Sequence, residues 1–202
     1  IEDLIDIGNA SRKVNIKEKE LLNKKRNDLT ETAIAKDAIT IIINLENPVT
    51  NLSLYQLKAI FTGQITNWSE VGGYDTEIIV VSRDVSSGSF VVFNKVILDS
   101  LKVKDNAMML ASNNAVATMV GYTPGAIGYV GLGYVNKDLN IVSIDGVLPT
   151  PETIMNNNYK LTRELFIYTS KAPKELAQDF INFVLSEEGQ QIVEKQGYLR
   201  IN

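Results

Sequence analysis

The chain has 202 residues, with 20 basic and 24 acidic side chains and a net charge of −4. That length suffices for one large domain or two smaller lobes, and the acidic balance argues against a nucleic-acid partner, whose phosphate backbone needs a basic surface. Because the sequence contains no Cys and no His, it excludes disulfides, cysteine–histidine zinc sites and imidazole bases. This argues against most hydrolase mechanisms, although a serine–lysine arrangement or a carboxylate-only site stays open. We predict no catalytic residue, metal or cofactor.

The first residues predict a strand that runs into a loop. Asp6–Gly8 reads as the strand end, and Ser11 and Arg12 follow at the tip of the loop. Residues 13–27 interleave Lys and Glu, which is typical of a solvated helix face rather than of a binding patch. Because a domain rarely begins with an unsupported strand, we expect further structure upstream of this segment.

The next segment predicts a buried strand and a well-marked helix. The strand is Ile39–Ile43, a continuous β-branched run. For the helix, Ser53 and Gln56 have the spacing of a capping box, and Gly63 is a natural C-terminal stop. The lone Trp68 precedes a turn, where a tryptophan more often anchors packing than contacts a ligand.

The stretch Glu77–Leu101 is predicted to join a strand to a helix through a turn rich in Ser and Gly. Ile78–Val81 is a β-branched run typical of a strand buried on both faces. One apolar helix face is then predicted from residues three or four positions apart: Phe90, Phe93, Ile97 and Leu101.

The turn itself is a candidate anion site. Arg83 has a planar guanidinium that can hold an oxyanion with two parallel hydrogen bonds. Ser87 and Ser89 add hydroxyl donors, and Gly88 lets the backbone approach a ligand closely. The N–H groups of a beginning helix also favour negative charge. The same residues fit ordinary N-cap chemistry beside a solvated arginine, so this segment alone leaves both interpretations open.

The second half of the chain continues the alternation of helices and strands. One helix and three strands are predicted, over residues 113–120, 126–130, 140–144 and 165–168. We predict that Pro173 lies in the first turn of a helix, with an apolar face formed by Leu176, Phe180, Phe183 and Val184. A last helix is predicted over 186–196. This alternation indicates an α/β fold.

Two strand-to-proline passages predict two lobes. With hinges near residues 44–48 and 149–163, the first lobe comprises residues 1–45 and 160–202, and the second comprises residues 46–159. Such an arrangement creates a cleft, where small ligands usually bind. No apolar run approaches the roughly 20 residues of a membrane span, and no signal peptide is visible.

Four segments, in order along nearly the whole chain, resemble the phosphate-binding proteins of bacterial ABC transporters. They are NLSLYQLKAIFTGQITNWSEVGG, VVSRDVSSGSF, TPGAIGYVGLGYV and FVLSEEGQQIVEKQGYLRI. The resemblance implies a two-lobed, type II periplasmic-binding-protein-like α/β fold with a hinge and a cleft. It implies an extracytoplasmic protein, often lipid-anchored through a segment not in this chain, that captures inorganic phosphate for membrane permease subunits.

The resemblance also implies ligand residues. The family's Arg followed by Ser-Gly-Thr matches Arg83 with Ser87, Gly88 and Ser89, where Ser89 keeps the hydroxyl.

From the first lobe, the family's Asp-Ile-Gly and Ser match Asp6–Gly8 and Ser11. Some members have an Asp after that Ser that can accept a proton from phosphate. This chain has Arg12, which can hold the anion but cannot accept a proton, and Asp84 is a possible substitute acceptor. The family's N-terminal strand and loop have no counterpart here. The chain could be a fragment, a form from which those residues were cleaved, or a natural short form, and the first alternative implies a first lobe with an incomplete sheet.

Three other functions stay open. The chain could be a receptor or sensor for another oxyanion such as sulfate or molybdate. It could be an enzyme with Ser87 or Ser89 as nucleophile, although the nearest lysine in sequence, Lys95, is predicted on the following helix, out of reach. It could also be a surface protein that has lost ligand binding.

Overall fold

The computed structural model describes residues 5–24 and 28–201. Strands and helices alternate along most of the chain. The strands are β1 (Gly8–Ala10), β2 (Leu29–Asn44), β3 (Asn51–Leu52), β4 (Ile79–Arg83), β5 (Met108–Leu110), β6 (Ala126–Gly131), β7 (Leu139–Ile144) and β8 (Thr162–Ser170). The α-helices are α1 (Ile16–Lys24), α2 (Leu54–Thr62), α3 (Gly88–Phe93), α4 (Asn113–Tyr122), α5 (Pro151–Met155), α6 (Glu175–Leu185) and α7 (Glu187–Lys195). The structure also contains two short 3-10 helices, Trp68–Val71 and Leu132–Tyr134, and a π-helical segment, Asn94–Leu98.

The chain divides into two compact units. Unit 2 is the continuous stretch Ala38–Thr162, and unit 1 combines the described residues up to Asp37 with those from Arg163 onward. The lobe limits predicted above, at residues 45/46 and 159/160, stay a prediction.

Unit 2 is built on a mixed sheet. The second half of β2 pairs antiparallel with both β6 and β7, and β3 runs parallel to β7. β4 lies between β6 and β5 and is parallel to both. The carboxyl end of β4 is therefore the end of a central parallel strand, where ligands of open α/β sheets commonly bind.

The core of unit 2 explains the β-branched runs of its strands. Ile39, Ile41, Ile42 and Ile43 of β2 are each 0% exposed. Helix α4 packs against β6 and β4, and Gly128 of β6 makes room for it. A Cβ at Gly128 would lie 2.9 Å from side-chain carbons of both Val116 and Val120. The absence of a side chain there sets how closely the helix approaches the sheet.

Helix α2 and Trp68 agree with their predictions. Ser53 and Gln56 form the capping box, and Gly63 ends the helix in the left-handed conformation, with φ 82°. Trp68 is buried, and its indole N–H donates to the carbonyl oxygen of Gly125 at 2.8 Å. It is therefore a packing residue of unit 2.

Unit 1 is built on the strand order β1-β8-β2, with the first half of β2. β1 pairs antiparallel with β8, with Gly8 opposite Tyr168. In the same unit, Arg163 Nε and Nη2 donate to Asp37 Oδ2 at 2.9 and 2.7 Å. This ion pair is almost fully buried, with the Asp37 side chain 1% exposed and the Arg163 side chain 11% exposed.

The predicted apolar face over residues 90–101 is correct up to Ile97 and wrong at Leu101. Phe93 and Ile97 are buried, but Leu98 takes the next core position and Leu101 is 46% exposed. The π-helical segment Asn94–Leu98 has wider turns, which change the spacing of side chains. The helix then ends at Leu98, because Asp99 and Ser100 adopt positive φ, so Leu101 lies beyond the helix.

The prediction for α6 is wrong in two respects. The helix begins at Glu175 with Lys174 as its N-cap, so Pro173 precedes the first turn. The predicted apolar face lies largely outward: Leu176, Phe180 and Phe183 are 82%, 46% and 43% exposed. The buried residues are Ala177 and Ile181. Because α6 is apolar on two sides, its periodicity alone did not identify the side that faces the core.

Three further elements differ from expectation. Strand β2 begins at Leu29, ten residues before the predicted run. Its first half was not predicted because it is partly exposed and mixes charged residues with Ala. Asp6 and Ile7 precede β1 rather than ending a strand. Helix α5, Pro151–Met155, was not predicted; its N-cap is Thr150, in a capping box with Thr153.

Candidate functional site

Arg83 is the last residue of β4, and the sheet register fixes its neighbours. It pairs with Leu110 of β5, and the next residue, Asp84, donates its backbone N–H to the Leu110 carbonyl at 2.9 Å. Strand β5 ends at Leu110, so the residues that lead into α4 lie beside the Arg83 side chain. The predicted anion turn and the start of α4 therefore meet at one edge of the sheet.

The turn after Arg83 is closed by its own hydrogen bonds. Asp84 Oδ1 accepts from the backbone N–H of Ser86 at 2.9 Å and from its hydroxyl at 2.6 Å. Ser87 donates its N–H to the Asp84 carbonyl at 3.0 Å. The Ser86 hydroxyl is the main cause that lowers the pKa of Asp84. Asp84 is thus a weaker proton acceptor than an ordinary aspartate, which argues against its role as a substitute acceptor.

Ser87, Gly88 and Ser89 open helix α3. Ser87 is the N-cap, and its hydroxyl oxygen accepts from the N–H of Phe90 at 3.0 Å. Ser89 is 3% exposed, while Ser87 and Gly88 are half-buried. The N-cap interpretation of Ser87 is therefore correct. It does not conflict with the anion interpretation, because a capping hydroxyl accepts through oxygen and still has its own hydrogen to donate.

Two uncharged oxygens accept hydrogen bonds from the guanidinium of Arg83. Nη1 donates to the side-chain amide oxygen of Asn113 at 2.5 Å, and Nη2 donates to the backbone carbonyl of Ala111 at 3.0 Å. Asn113 is the first residue of α4, whose N-cap is Ser112. The sequence analysis missed Asn113. The available signal was its position at the predicted start of a helix that follows a strand next to β4.

A buried tyrosine, Tyr129, stabilises the end of β4 through hydrogen bonds and ring stacking. The hydroxyl of Tyr129, on β6, accepts the backbone N–H of Arg83 at 3.2 Å and shares a hydrogen bond with the Ser82 hydroxyl at 2.9 Å. The Tyr129 ring stacks on Phe93 of α3, with 4.0 Å between ring centroids and 8° between planes. Burial raises the pKa of Tyr129 to about 12. The phenol therefore stays neutral and ties β4, β6 and α3 together.

Ser11 and Arg12, the residues predicted from the first lobe, follow β1 in unit 1. Arg12 is in a bidentate ion pair: Nη1 and Nη2 each donate to a Glu18 carboxylate oxygen at 2.8 Å. Glu18 also accepts the backbone N–H of Asn15 at the start of α1. The Arg12 hydrogen bond, followed by that of Asn15, lowers the pKa of Glu18 to about 2. An anion at Arg12 would have to compete with this carboxylate.

The structure thus brings four of the six predicted ligand residues together in unit 2: Arg83, Ser87, Gly88 and Ser89. Lys95, the base that the enzyme alternative would need, is exposed on the π-helical segment. Over residues 5–24 and 28–201, no hydrogen bond joins Lys95 to Ser87 or Ser89. This part of the chain also contains no group of three or more Asp and Glu side chains that could hold a metal ion.

None of the helices in the described part of the chain has both the length and the apolar character that crossing a membrane requires.

Comparison with known proteins identifies the family. The family model described as the PBP superfamily domain matches residues 2–188. The phosphate-binding protein PstS of Borreliella burgdorferi is 38% identical over 183 residues, which cover 85% of this chain and 66% of that protein. PstS of Bacillus subtilis is 34% identical over 202 residues, which cover 99% of this chain and 66% of that protein. The chain therefore spans just under two thirds of the length of these two relatives.

A solved structure is similar over the whole chain. It is a substrate-binding protein assigned to a phosphate ABC transporter of Clostridium perfringens, crystallised with bound phosphate, and it is 36% identical. The TM-score is 0.88, and the match covers 100% of this chain and 81% of that one. These matches confirm the predicted periplasmic-binding-protein-like α/β fold and the family resemblance. The chain belongs to the PBP superfamily.

Proposed function

We propose that this chain is an extracytoplasmic solute-binding protein that captures inorganic phosphate and delivers it to the membrane permease subunits of an ABC transporter. The observation that carries the proposal is the turn at the end of β4. Within seven residues it presents a guanidinium at Arg83, hydroxyls at Ser87 and Ser89, and the N–H groups of a beginning helix. The proposal is supported by the phosphate named for the relatives and bound in the Clostridium perfringens structure.

The proposed binding mode requires only hydrogen bonds and charge. A guanidinium has a permanent positive charge and five N–H donors. In this mode Arg83, which donates to Asn113 and Ala111, also donates to phosphate oxygens. Gly88 has no side chain to obstruct an anion approaching the backbone. The Ser87 and Ser89 hydroxyls donate to further oxygens. Ser11 and Arg12 stay predicted ligands, and the Glu18 ion pair makes Arg12 the weaker candidate.

The proposal includes no enzymatic reaction, because the comparisons name binding proteins. The extracytoplasmic location and the lipid anchor are carried over from the family. Incubation with a chromogenic phosphate ester tests whether the chain catalyses a reaction, and we expect no turnover of the ester. Release of the chromophore that Ser87→Ala abolishes would support the serine-nucleophile alternative instead.

Titration calorimetry of this chain with phosphate, repeated with sulfate, tests the function. We expect phosphate binding and a much smaller sulfate signal. Arg83→Ala removes charge-assisted hydrogen bonds worth about 1.5–3 kcal/mol each, so two of them predict an affinity loss of about 100-fold or more. Arg200→Ala is the matched control, because Arg200 pairs at the surface with Glu187 and Glu194.

Each result has a distinct meaning. Wild-type affinity in Arg83→Ala would show that the anion binds elsewhere. Stronger binding of sulfate or molybdate than of phosphate would favour the receptor for another oxyanion. The absence of heat with every anion would contradict the proposed function for this chain.

A further inference from the structure

The loop that follows β1 in unit 1 is held by contacts at four consecutive residues, 12–15. In its middle, Lys13 Nζ lies 3.4 Å from Oε1 of Glu31. Val14 donates its backbone N–H to the hydroxyl oxygen of Tyr168 at 3.1 Å, and that hydroxyl donates to Oε2 of the same Glu31 at 2.7 Å. Because Glu31 lies on β2 and Tyr168 on β8, the middle of the loop is tied to the sheet of unit 1.

The two ends of this segment, Arg12 and Asn15, share one partner on helix α1. Arg12 donates through Nη1 and Nη2 to the two carboxylate oxygens of Glu18, at 2.8 Å each. Glu18 Oε2 also accepts the backbone N–H of Asn15 at 2.8 Å, and Glu18 donates its own N–H to Asn15 Oδ1 at 2.9 Å. These reciprocal bonds have the pattern of a capping box. The carboxylate that pairs with Arg12 is therefore itself fixed at the start of α1.

We propose that Arg12 and Glu18 form a clamp that holds the loop in the conformation in which Ser11 binds the anion, so that Arg12 is a positioning residue. The inference rests on the proposed function, since Ser11 is a predicted phosphate ligand. Ser11 directly precedes Arg12 and is half-buried. A loop that is already ordered binds more tightly than a mobile one, because the mobile loop must lose conformational freedom when the ligand binds.

The alternative is that Arg12 itself binds the anion. Both of its Nη atoms donate to Glu18, so an anion could take them only by breaking a bidentate bond to a carboxylate, which is a strong charge-assisted contact. In that case Glu18 would be a competitor of the ligand. In the proposed clamp, Glu18 supports binding instead.

The two roles of Arg12 predict opposite effects of Glu18→Gln on the phosphate Kd measured by titration calorimetry. Glutamine is also a capping-box residue at this position, so the substitution removes the charge of the pair and keeps the start of α1. For the clamp, we expect the looser loop to weaken binding by on the order of fivefold. If Arg12 were a ligand that Glu18 occupies, its release would tighten binding. A Kd equal to or lower than that of the wild type would therefore overturn the inference.

Glu20→Gln is the matched control, because Glu20 is an exposed residue of the same helix. It removes the same charge without touching the clamp, and we expect a Kd within about twofold of the wild type, since exposed charges are largely screened. Arg12→Ala removes the other half of the clamp, and we expect about 10-fold weaker binding. The double variant of Arg12→Ala and Glu18→Gln should bind no more weakly than Arg12→Ala, because the two side chains act as one unit. Additive losses would overturn the clamp.

A second measurement tests the clamp without phosphate. Backbone order parameters from 15N NMR relaxation are about 0.85 for a rigid residue and below about 0.6 for a flexible one. In the ligand-free chain, we expect Ser11 to be near the rigid value in the wild type and in Glu20→Gln, and clearly lower in Arg12→Ala and Glu18→Gln. An unchanged order parameter in Arg12→Ala would overturn the clamp. Failure of the wild-type chain to bind phosphate, by contrast, would appear in the calorimetry alone. It would count against the proposed function, and the order parameters would still decide whether the clamp orders the loop.

Discussion

Removing the hydroxyl of Tyr129 should weaken unit 2 at the end of β4. Tyr129 is fully buried, and its hydroxyl is the acceptor for the Arg83 N–H at 3.2 Å and a partner of the Ser82 hydroxyl at 2.9 Å. Tyr129→Phe keeps the ring stacked on Phe93 but removes the oxygen. The substitution therefore removes the hydrogen-bond partner of the Arg83 N–H and of the Ser82 hydroxyl while it keeps the packing of the ring.

The structure sets the size of the effect. Ser82 has a second acceptor, since its hydroxyl also donates to the Arg83 carbonyl at 3.2 Å, so the main cost is the backbone N–H of Arg83. Leaving a buried donor without its partner costs about 1–3 kcal/mol. Taking about 2 kcal/mol, a chain of this size should melt about 4–8 °C lower.

Thermal unfolding followed by circular dichroism measures this change. Tyr122→Phe is the control, because it removes the same atom from a residue of unit 2 that is 86% exposed. We expect that control to melt within about 1 °C of the wild type. If Tyr129→Phe melted no lower than Tyr122→Phe, the hydroxyl would contribute nothing, and the argument that this tyrosine supports the Arg83 backbone would be wrong.

Three further predictions concern the backbone, a buried charge and pH. Gly125→Ala should lower the free energy of unfolding by more than the roughly 1 kcal/mol expected for an alanine in the left-handed conformation. The reason is that its Cβ would lie 2.6 Å from a backbone carbonyl oxygen. Gly146→Ala, with φ +81° and nothing within 4 Å, should cost only that amount; urea unfolding compares them. Asp37→Asn should destabilise the chain by about 3–5 kcal/mol, since it leaves the buried Arg163 charge without its carboxylate; urea unfolding at neutral pH measures the loss. The pKa of Glu18, lowered from 4.5 to about 2, predicts stability that is complete above pH 4.5 and is lost as the pH falls toward 2. Glu18→Gln should remove that part of the pH profile of the melting temperature.

The sequence was most informative where the signal is local. The capping box of α2 depends on Ser53 and Gln56, three positions apart, and both hydrogen bonds are present. The strand and turn that contain Arg83 and Ser87 were likewise predicted, because a β-branched run, a Ser and a Gly act on their own backbone.

The sequence was less informative where the outcome depends on distant partners. Asn113 lies 30 residues from Arg83 in sequence, and only the β4–β5 register brings them together. Which side of α6 is buried depends on what packs against the helix. Ala177 is buried and Phe180 is not, because tertiary packing rather than hydrophobicity decides the buried side. The ion pair between Arg12 and Glu18 joins residues that are close in sequence, so it could in principle have been predicted. A pattern of interleaved charges, however, does not show which of the charged residues pair.

The discontinuity of unit 1 has a consequence for how the chain is made. Unit 2 is a single continuous stretch, so all of its pairings are available once residue 162 has been synthesised. Unit 1 must wait, because Gly8 of β1 finds its partner in Tyr168 of β8. Closing so long a loop is slow and entropically costly. The early strand β1 therefore stays without its partner until β8 has been synthesised, and we expect unit 2 to fold before unit 1.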